Sequence, residues 1–255
     1  MFRKALFTVL AIMFVLTSIV GCGQKETKTV TQKPAKFDAK TVVKDLKGDA
    51  LAGKINEYME EGDIDKAVAV GEAAMGKEPG NLSVLLNLSN AYYFQKDMLN
   101  MVKVSKKMDE LSPNNPTVLN QLAWALIDSG ENPAEGVKKA EQAMLIIKQS
   151  GQVIDPGLAD TRAYGLYKQG KKAEAISEWQ KALPRAQSGE IYLHLGQALF
   201  ETGKKTEAKP ILERALSLIK VQLKDANLTK VEVKHLEQVK VKIEGYLKEL
   251  NQKQS

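Results

Sequence analysis

Cysteine is almost missing: the chain of 255 residues holds one, Cys22. Neither a disulfide framework nor a thiolate metal site can be built from it. Histidine is nearly as scarce, with His194 and His235 alone, and neither belongs to an HExxH spacing. A catalytic zinc therefore lacks ligands. No GxSxG elbow is present, so a Ser/His/Asp arrangement has no sequence support. Acidic neighbours such as Glu60-Glu61, Asp63/Asp65 and Asp109-Glu110 fall at helix ends or turns, where carboxylates are usually solvated. Gly165 to Lys171 imitates a phosphate-binding loop, but Lys172 follows where Ser or Thr would hold magnesium, and the segment ends a helical pattern instead of following a strand. Strand-like alternation is absent too. Single-sign charge is modest: 37 basic against 31 acidic residues give +6, with lysines scattered among acids. That is a poor footprint for nucleic acid, although it tolerates an anionic membrane surface. The composition argues against catalysis and calls for no cofactor or metal.

The one long apolar run lies at the start. Arg3 and Lys4 precede Ala5 to Val20, a stretch too short to span a bilayer comfortably, which reads as an export signal. Its last residues, Ile19-Val20-Gly21-Cys22, resemble the lipobox of bacterial lipoproteins. The resemblance implies cleavage before Cys22 and lipidation of its sulfur, the alternative being a signal peptide that happens to contain one cysteine. Loss of residues 1–21 removes Arg3, Lys4 and no acid, so the charge falls from +6 to +4. Several acyl chains, at about 0.8 kcal/mol per buried methylene, hold a protein far more firmly than one. The resemblance places the protein in the bacterial cell envelope. Gly23 stands where an aspartate commonly signals inner-membrane retention, so an outer membrane, if the host has one, is the expected destination; otherwise it is the outer face of the cytoplasmic membrane. From Gly23 to about Asp38 the chain is polar, and 22–47 is expected to be a lipidated flexible tether. A coil of about 20 residues reaches on the order of 25 Å.

From about Gly48 apolar residues recur at helical spacing. Turn positions repeat at Gly62, Lys96, Gly130, Gly170 and Gly203, separated by 34, 34, 40 and 33 residues, each between two amphipathic segments. Stretches such as Gly62-Asp63-Ile64-Asp65-Lys66-Ala67, Gly170 to Ala175 and Gly203 to Ala208 resemble tetratricopeptide repeats. Small residues recur where that family's helices cross closely: Ala67, Gly136, Ala175 and Ala208 at one position, Ala74, Ala143, Ala182 and Ala215 at another. Pro79 and Pro113 close the first two repeats. The resemblance covers roughly 48–222, as repeats at about 48–81, 82–115, 116–155, 156–188 and 189–222. It implies an all-α superhelical solenoid of about five hairpins, followed by a C-terminal capping helix in 223–255. Repeat two departs with Met101 and Met108 in place of small residues, and repeat three carries an insertion before Asp155. Asn115-Pro116, Asn132-Pro133 and Asp155-Pro156 read as helix starts. Thr229 with Glu232 reads as the capping box of a final helix from about 230 to 250, whose Leu236, Ile243 and Leu250 share one face. That face is expected to shield the last repeat, with a dimerising coiled coil as the alternative to a monomer.

In this family the first helix of each repeat lines a concave wall that receives a peptide or helix. Carried onto this chain, the inward positions include Asn56, Met59, Leu86, Asn90, Tyr93, Asn120, Trp124, Ile127, Tyr164, Tyr167, Leu193, Gln197 and Phe200. Asn56, Asn90, Tyr93, Asn120, Trp124, Tyr164, Tyr167, Gln197 and Phe200 are the candidate partner contacts. Asparagine pairs with backbone amides, and large rings give contact area at low entropic cost. Some of these rings can equally pack between helices, and Trp179, on a second helix, is assigned to core. A carboxylate-capturing groove is doubtful, since Ala52 and Leu86 stand where that clamp has lysine. The stretches from Leu119 to Trp124, Asp160-Thr161 and Tyr192 to Gly196 are similar to bacterial repeat lipoproteins that serve envelope assembly. The resemblance implies a non-enzymatic adaptor for an envelope protein or peptide in secretion, pilus, outer-membrane or exopolysaccharide machinery. The alternative is a general periplasmic chaperone or an accessory subunit of an envelope enzyme complex.

Overall fold

The computed structural model describes residues 37–252. Cys22, the signal segment and most of the expected tether lie outside them. Among the described residues there is no strand, and the helices run α1 Ala39–Val43, α2 Asp49–Glu61, α3 Ile64–Lys77, α4 Leu82–Gln95, α5 Met98–Leu111 and α6 Pro116–Asp128. They continue as α7 Pro133–Gln149, α8 Pro156–Lys168, α9 Lys172–Ala182, a 3₁₀ turn Leu183–Arg185, α10 Gly189–Glu201, α11 Lys205–Gln222 and α12 Lys230–Gln252. The pairs α2/α3, α4/α5, α6/α7, α8/α9 and α10/α11 are five stacked hairpins, a tetratricopeptide-type solenoid. None of these helices is long and apolar enough to cross a membrane.

Local chemistry sets the helix ends. Asp63, Asn81, Asp97 and Asn132 each accept a hydrogen bond from the backbone N–H three residues on, and Asn115 and Asp155 from one two residues on. Such caps are each worth about 1 kcal/mol. Inside each hairpin the chain reverses through a left-handed residue: Gly62, Gly130, Gly170 and Gly203 have φ between 72° and 83°, and Lys96 has φ 69°.

Close helix crossings explain the small residues. A Cβ on Gly136 would lie 2.8 Å from the Ala123 carbonyl oxygen, and one on Gly189 2.9 Å from that of Ala215. Ala67, Ala74, Ala143, Ala175, Ala208 and Ala215 are fully buried. Met101 and Met108 are almost completely buried in an uninterrupted α5, so the second repeat takes up larger side chains without losing its helix. The insertion of repeat three is absorbed by α7, which runs to 17 residues, and by the loop after it.

Two expectations need correction. The tether was expected to reach residue 47, but its last part is folded: Val43 of α1 is buried in the first core cluster, and the Lys77 ammonium donates to the carbonyls of Val43, Lys44 and Leu46. A lysine more than 30 residues away gathers these C-terminal carbonyls of a short helix. The second correction concerns α12. It does bury Leu236, Ile243 and Leu250 with Leu212, Ala215 and Ile219 of α11, as a cap should. It also touches α10, α4 and α2, so it starts beside the first two hairpins and runs across the concave side to the fifth. The cause is a second stripe on the same helix, Val231, His235, Val239, Lys242 and Tyr246, spaced at three and four residues.

Candidate functional site

The first helices of the hairpins carry a run of aromatic rings along the concave wall. Tyr93 on α4 meets Trp124 on α6 edge-on at 6.4 Å between centroids. Trp124 stacks on Tyr164 of α8 at 5.2 Å, and Tyr164 stacks on Tyr167 at 6.0 Å and on His194 of α10 at 4.8 Å. Offset stacks of this kind add about 0.5–1.5 kcal/mol each beyond their area. Four of the candidate aromatics, Tyr93, Trp124, Tyr164 and Tyr167, thus form one continuous surface, and Phe200 stands apart from it.

That surface is partly roofed by α12. His235 sits edge-on to both Tyr93 and Phe94 at 5.6 Å, and Tyr246 meets Phe200 at 5.2 Å. Between roof and wall lies a cavity of about 240 Å³ whose lining includes Tyr93, Trp124, Tyr164, His194, His235 and Lys242. Beside it a second cavity, about 300 Å³, is lined by Asn90, Gln121, Trp124, Met101 and Glu232.

The polar candidates are placed differently. Asn90 accepts from Gln121, which also donates to Ser89. Gln197 donates to the Tyr167 hydroxyl and to Glu201, and Tyr167 donates to Glu201, which also holds Lys172. Asn56 is exposed on α2. Among the described residues the buried Oδ1 of Asn120 has no hydrogen-bond partner. Met59, Ile127 and Leu193, read as inward-facing, are buried, and Trp179 is fully buried as expected for core.

Sequence reasoning offered no titratable groups in the groove beyond tyrosines, and the structure corrects this. Trp179 Nε1 donates to Asp160 at 2.6 Å, and His194 Nδ1 lies 2.9 Å from the same carboxylate oxygen. His235 Nε2 lies 3.2 Å from Glu190. The two histidines, far apart in sequence, line one cavity. Burial pushes His194 down, but the Asp160 carboxylate more than offsets it and holds the imidazole above its ordinary value. Burial pushes Glu190 up, and His235 reverses that, leaving the carboxyl below its usual range. Burial, reinforced by Asp128 and Asp160, pushes the Tyr164 phenol up to about 12. A signal for Asp160 was available: it stands ten residues before its turn glycine, the register of Leu86, Asn120 and Leu193. Nothing local marked His194, which meets Asp160 through the stacking of the hairpins, or Glu190 and His235, which meet only where α12 lies.

Each imidazole is oriented by a carboxylate, yet among the described residues no hydroxyl or thiol is bonded to either ring. No group of three His, Cys, Asp or Glu side chains is placed there to hold a metal. What the arrangement provides is a curved aromatic wall with fixed polar groups, already in contact with one amphipathic helix.

Residues 189–221 match the family model of a tetratricopeptide repeat. No curated protein sequence matches the chain. Among solved structures, it is similar to PilW, described as a widely conserved type IV pilus biogenesis factor. Identity is 17%, with 80% of this chain and 90% of that one covered, at a TM-score of 0.59. It is similar to TTC0263, a thermophilic repeat protein of Thermus thermophilus, at 18% identity, 78% and 98% coverage and a TM-score of 0.54. It is also similar to MamA of Desulfovibrio magneticus, at 14% identity, 74% and 98% coverage and a TM-score of 0.51.

Proposed function

We propose that this tetratricopeptide-repeat solenoid is a non-enzymatic adaptor of the bacterial cell envelope, lipid-anchored through Cys22, whose concave wall binds a protein partner. The observation that carries the proposal is the continuous ring surface from Tyr93 through Trp124 and Tyr164 to Tyr167. Aromatic side chains beside polar groups held by hydrogen bonds, such as Gln121 and Gln197, are the composition of binding hot spots. The seating of α12 against this wall supports a helix-in-groove mode of recognition, since the same surface already accommodates one amphipathic helix.

The part of the wall left open beside α12 is the 300 Å³ cavity at Asn90, Gln121 and Trp124. It gives a partner an entry that does not require α12 to leave. The lipobox-like Ile19-Val20-Gly21-Cys22 supports location at a membrane, and secretion, pilus, outer-membrane or exopolysaccharide assembly is the class of machine the adaptor serves.

The test is purification of the full chain from detergent-solubilised host membranes after reversible crosslinking. One or a few envelope proteins are expected in near-stoichiometric yield, and they should be lost with Asn90→Arg, which fills the open cavity. A partner set unchanged by that substitution would overturn the proposal.

A further inference from the structure

Where the first two hairpins meet the start of α12, a third cavity, about 270 Å³, is walled by the apolar groups of Ile64, Phe94 and Val231. Four cationic or basic side chains, Lys96, Lys230, Lys234 and His235, share its lining with Gln238 and Gly62. No carboxylate lines it. Glu232 is turned away to cap its own helix through Thr229, and Glu190 lies beneath, on His235. Among the described residues Lys96, Lys230 and Lys234 take part in no ion pair.

This convergence is locally unfavourable. Lys230 and Lys234 are four apart on one helix, where like charges repel. Lys96 occupies the left-handed turn position that glycine fills in the other four hairpins, at a cost of about 1–2 kcal/mol for a residue with a Cβ. Its ammonium is held 4.7 Å from the Tyr93 ring centroid, at the edge of the cavity. Among the described residues the Tyr93 ring and Glu190 offset part of the charge on Lys96, and no carboxylate pairs with Lys230 or Lys234. An anion from outside would meet three ammonium groups at once.

We propose that this cavity binds an acidic segment of the protein partner, a carboxylate side chain held by Lys96, Lys230 and Lys234 with an adjacent aliphatic side chain against Ile64, Phe94 and Val231. The proposal rests on the adaptor reading and names the chemistry of its ligand. The cavity holds about nine water volumes, enough for those two side-chain ends and not for a folded element. It opens beside the Asn90 cavity, with Phe94 lining both, so one segment entering at Asn90 reaches it.

The probe is a fluorescein-labelled acidic peptide in which four glutamates surround one leucine, titrated against the full chain in detergent micelles by fluorescence anisotropy. Binding should weaken with salt, and the pair Lys230→Gln with Lys234→Gln should weaken it about tenfold or more while melting is unchanged. Lys96→Gly, which is expected to keep or raise the melting temperature, should weaken binding in the same direction. Equal affinity in the variants, no binding at low salt, or binding only to vesicles of anionic phospholipid would each overturn the proposal. If the membrane partner is still recovered with the double lysine variant, the adaptor reading stands and this pocket is discarded.

Discussion

Lys96 shows how a single position can work against the fold it sits in. Its backbone is left-handed at φ 69°, as are the turn glycines of the other hairpins. Lys96→Gly is expected to raise stability by about 0.5–1 kcal/mol, since the relief of strain exceeds the extra entropy of the unfolded glycine; urea denaturation of the two proteins checks this. His194 and Glu190 make a second residue-scale prediction. His194 is held above its ordinary 6.5, so its contribution is complete below that value and is lost as pH rises through the folded pKa. Glu190 is held below its ordinary 4.5, so its contribution is complete above that value and is lost as pH falls through the folded pKa. Both are present between pH 4.5 and 6.5, where the melting temperature should peak. His194→Gln should remove the decline on the alkaline side, and a decline that persists unchanged would show that another group causes it.

At the scale of elements, α12 is both cap and roof. Ile243 is fully buried while Val241, two residues away, is 65% exposed. Ile243→Ala should cost about 2–5 kcal/mol and Val241→Ala less than about 0.5, both read from denaturant midpoints. Similar losses for the two would mean that α12 is not seated as described. The helix starts were legible in the sequence because a cap is local chemistry: Asn115, Asn132, Asp155 and Thr229 each bond the backbone within three residues. The turn at Lys96 was legible through the period alone. The course of α12 was not, because it carries two stripes, and the seven-residue spacing of Leu236, Ile243 and Leu250 draws the eye to the one that meets α11. Nor was the docking of α1, which depends on Lys77 reaching carbonyls more than 30 residues away. The aromatic positions could be read from the repeat register, and the contact of Asp160 with His194 is made by the stacked hairpins, but the contact of His235 with Glu190 exists only once α12 crosses the wall.

At the scale of the whole molecule, the proposed function joins a lipid anchor at Cys22 to a binding wall. Under that proposal Cys22→Ala is expected to move the protein from the membrane fraction to the soluble fraction, because it removes the sulfur that carries the acyl chains. Retention after a high-salt wash would point instead to an uncleaved apolar segment at the N-terminus. Whether the partner meets the concave wall is decided by placing a photoreactive residue in intact cells at position 90, on that wall, and at position 145, on the second helix of the third hairpin. The same envelope protein should be captured from position 90 and not from position 145. Capture from 145 alone, or from 90 only of the chain's own α12, would contradict binding at the wall.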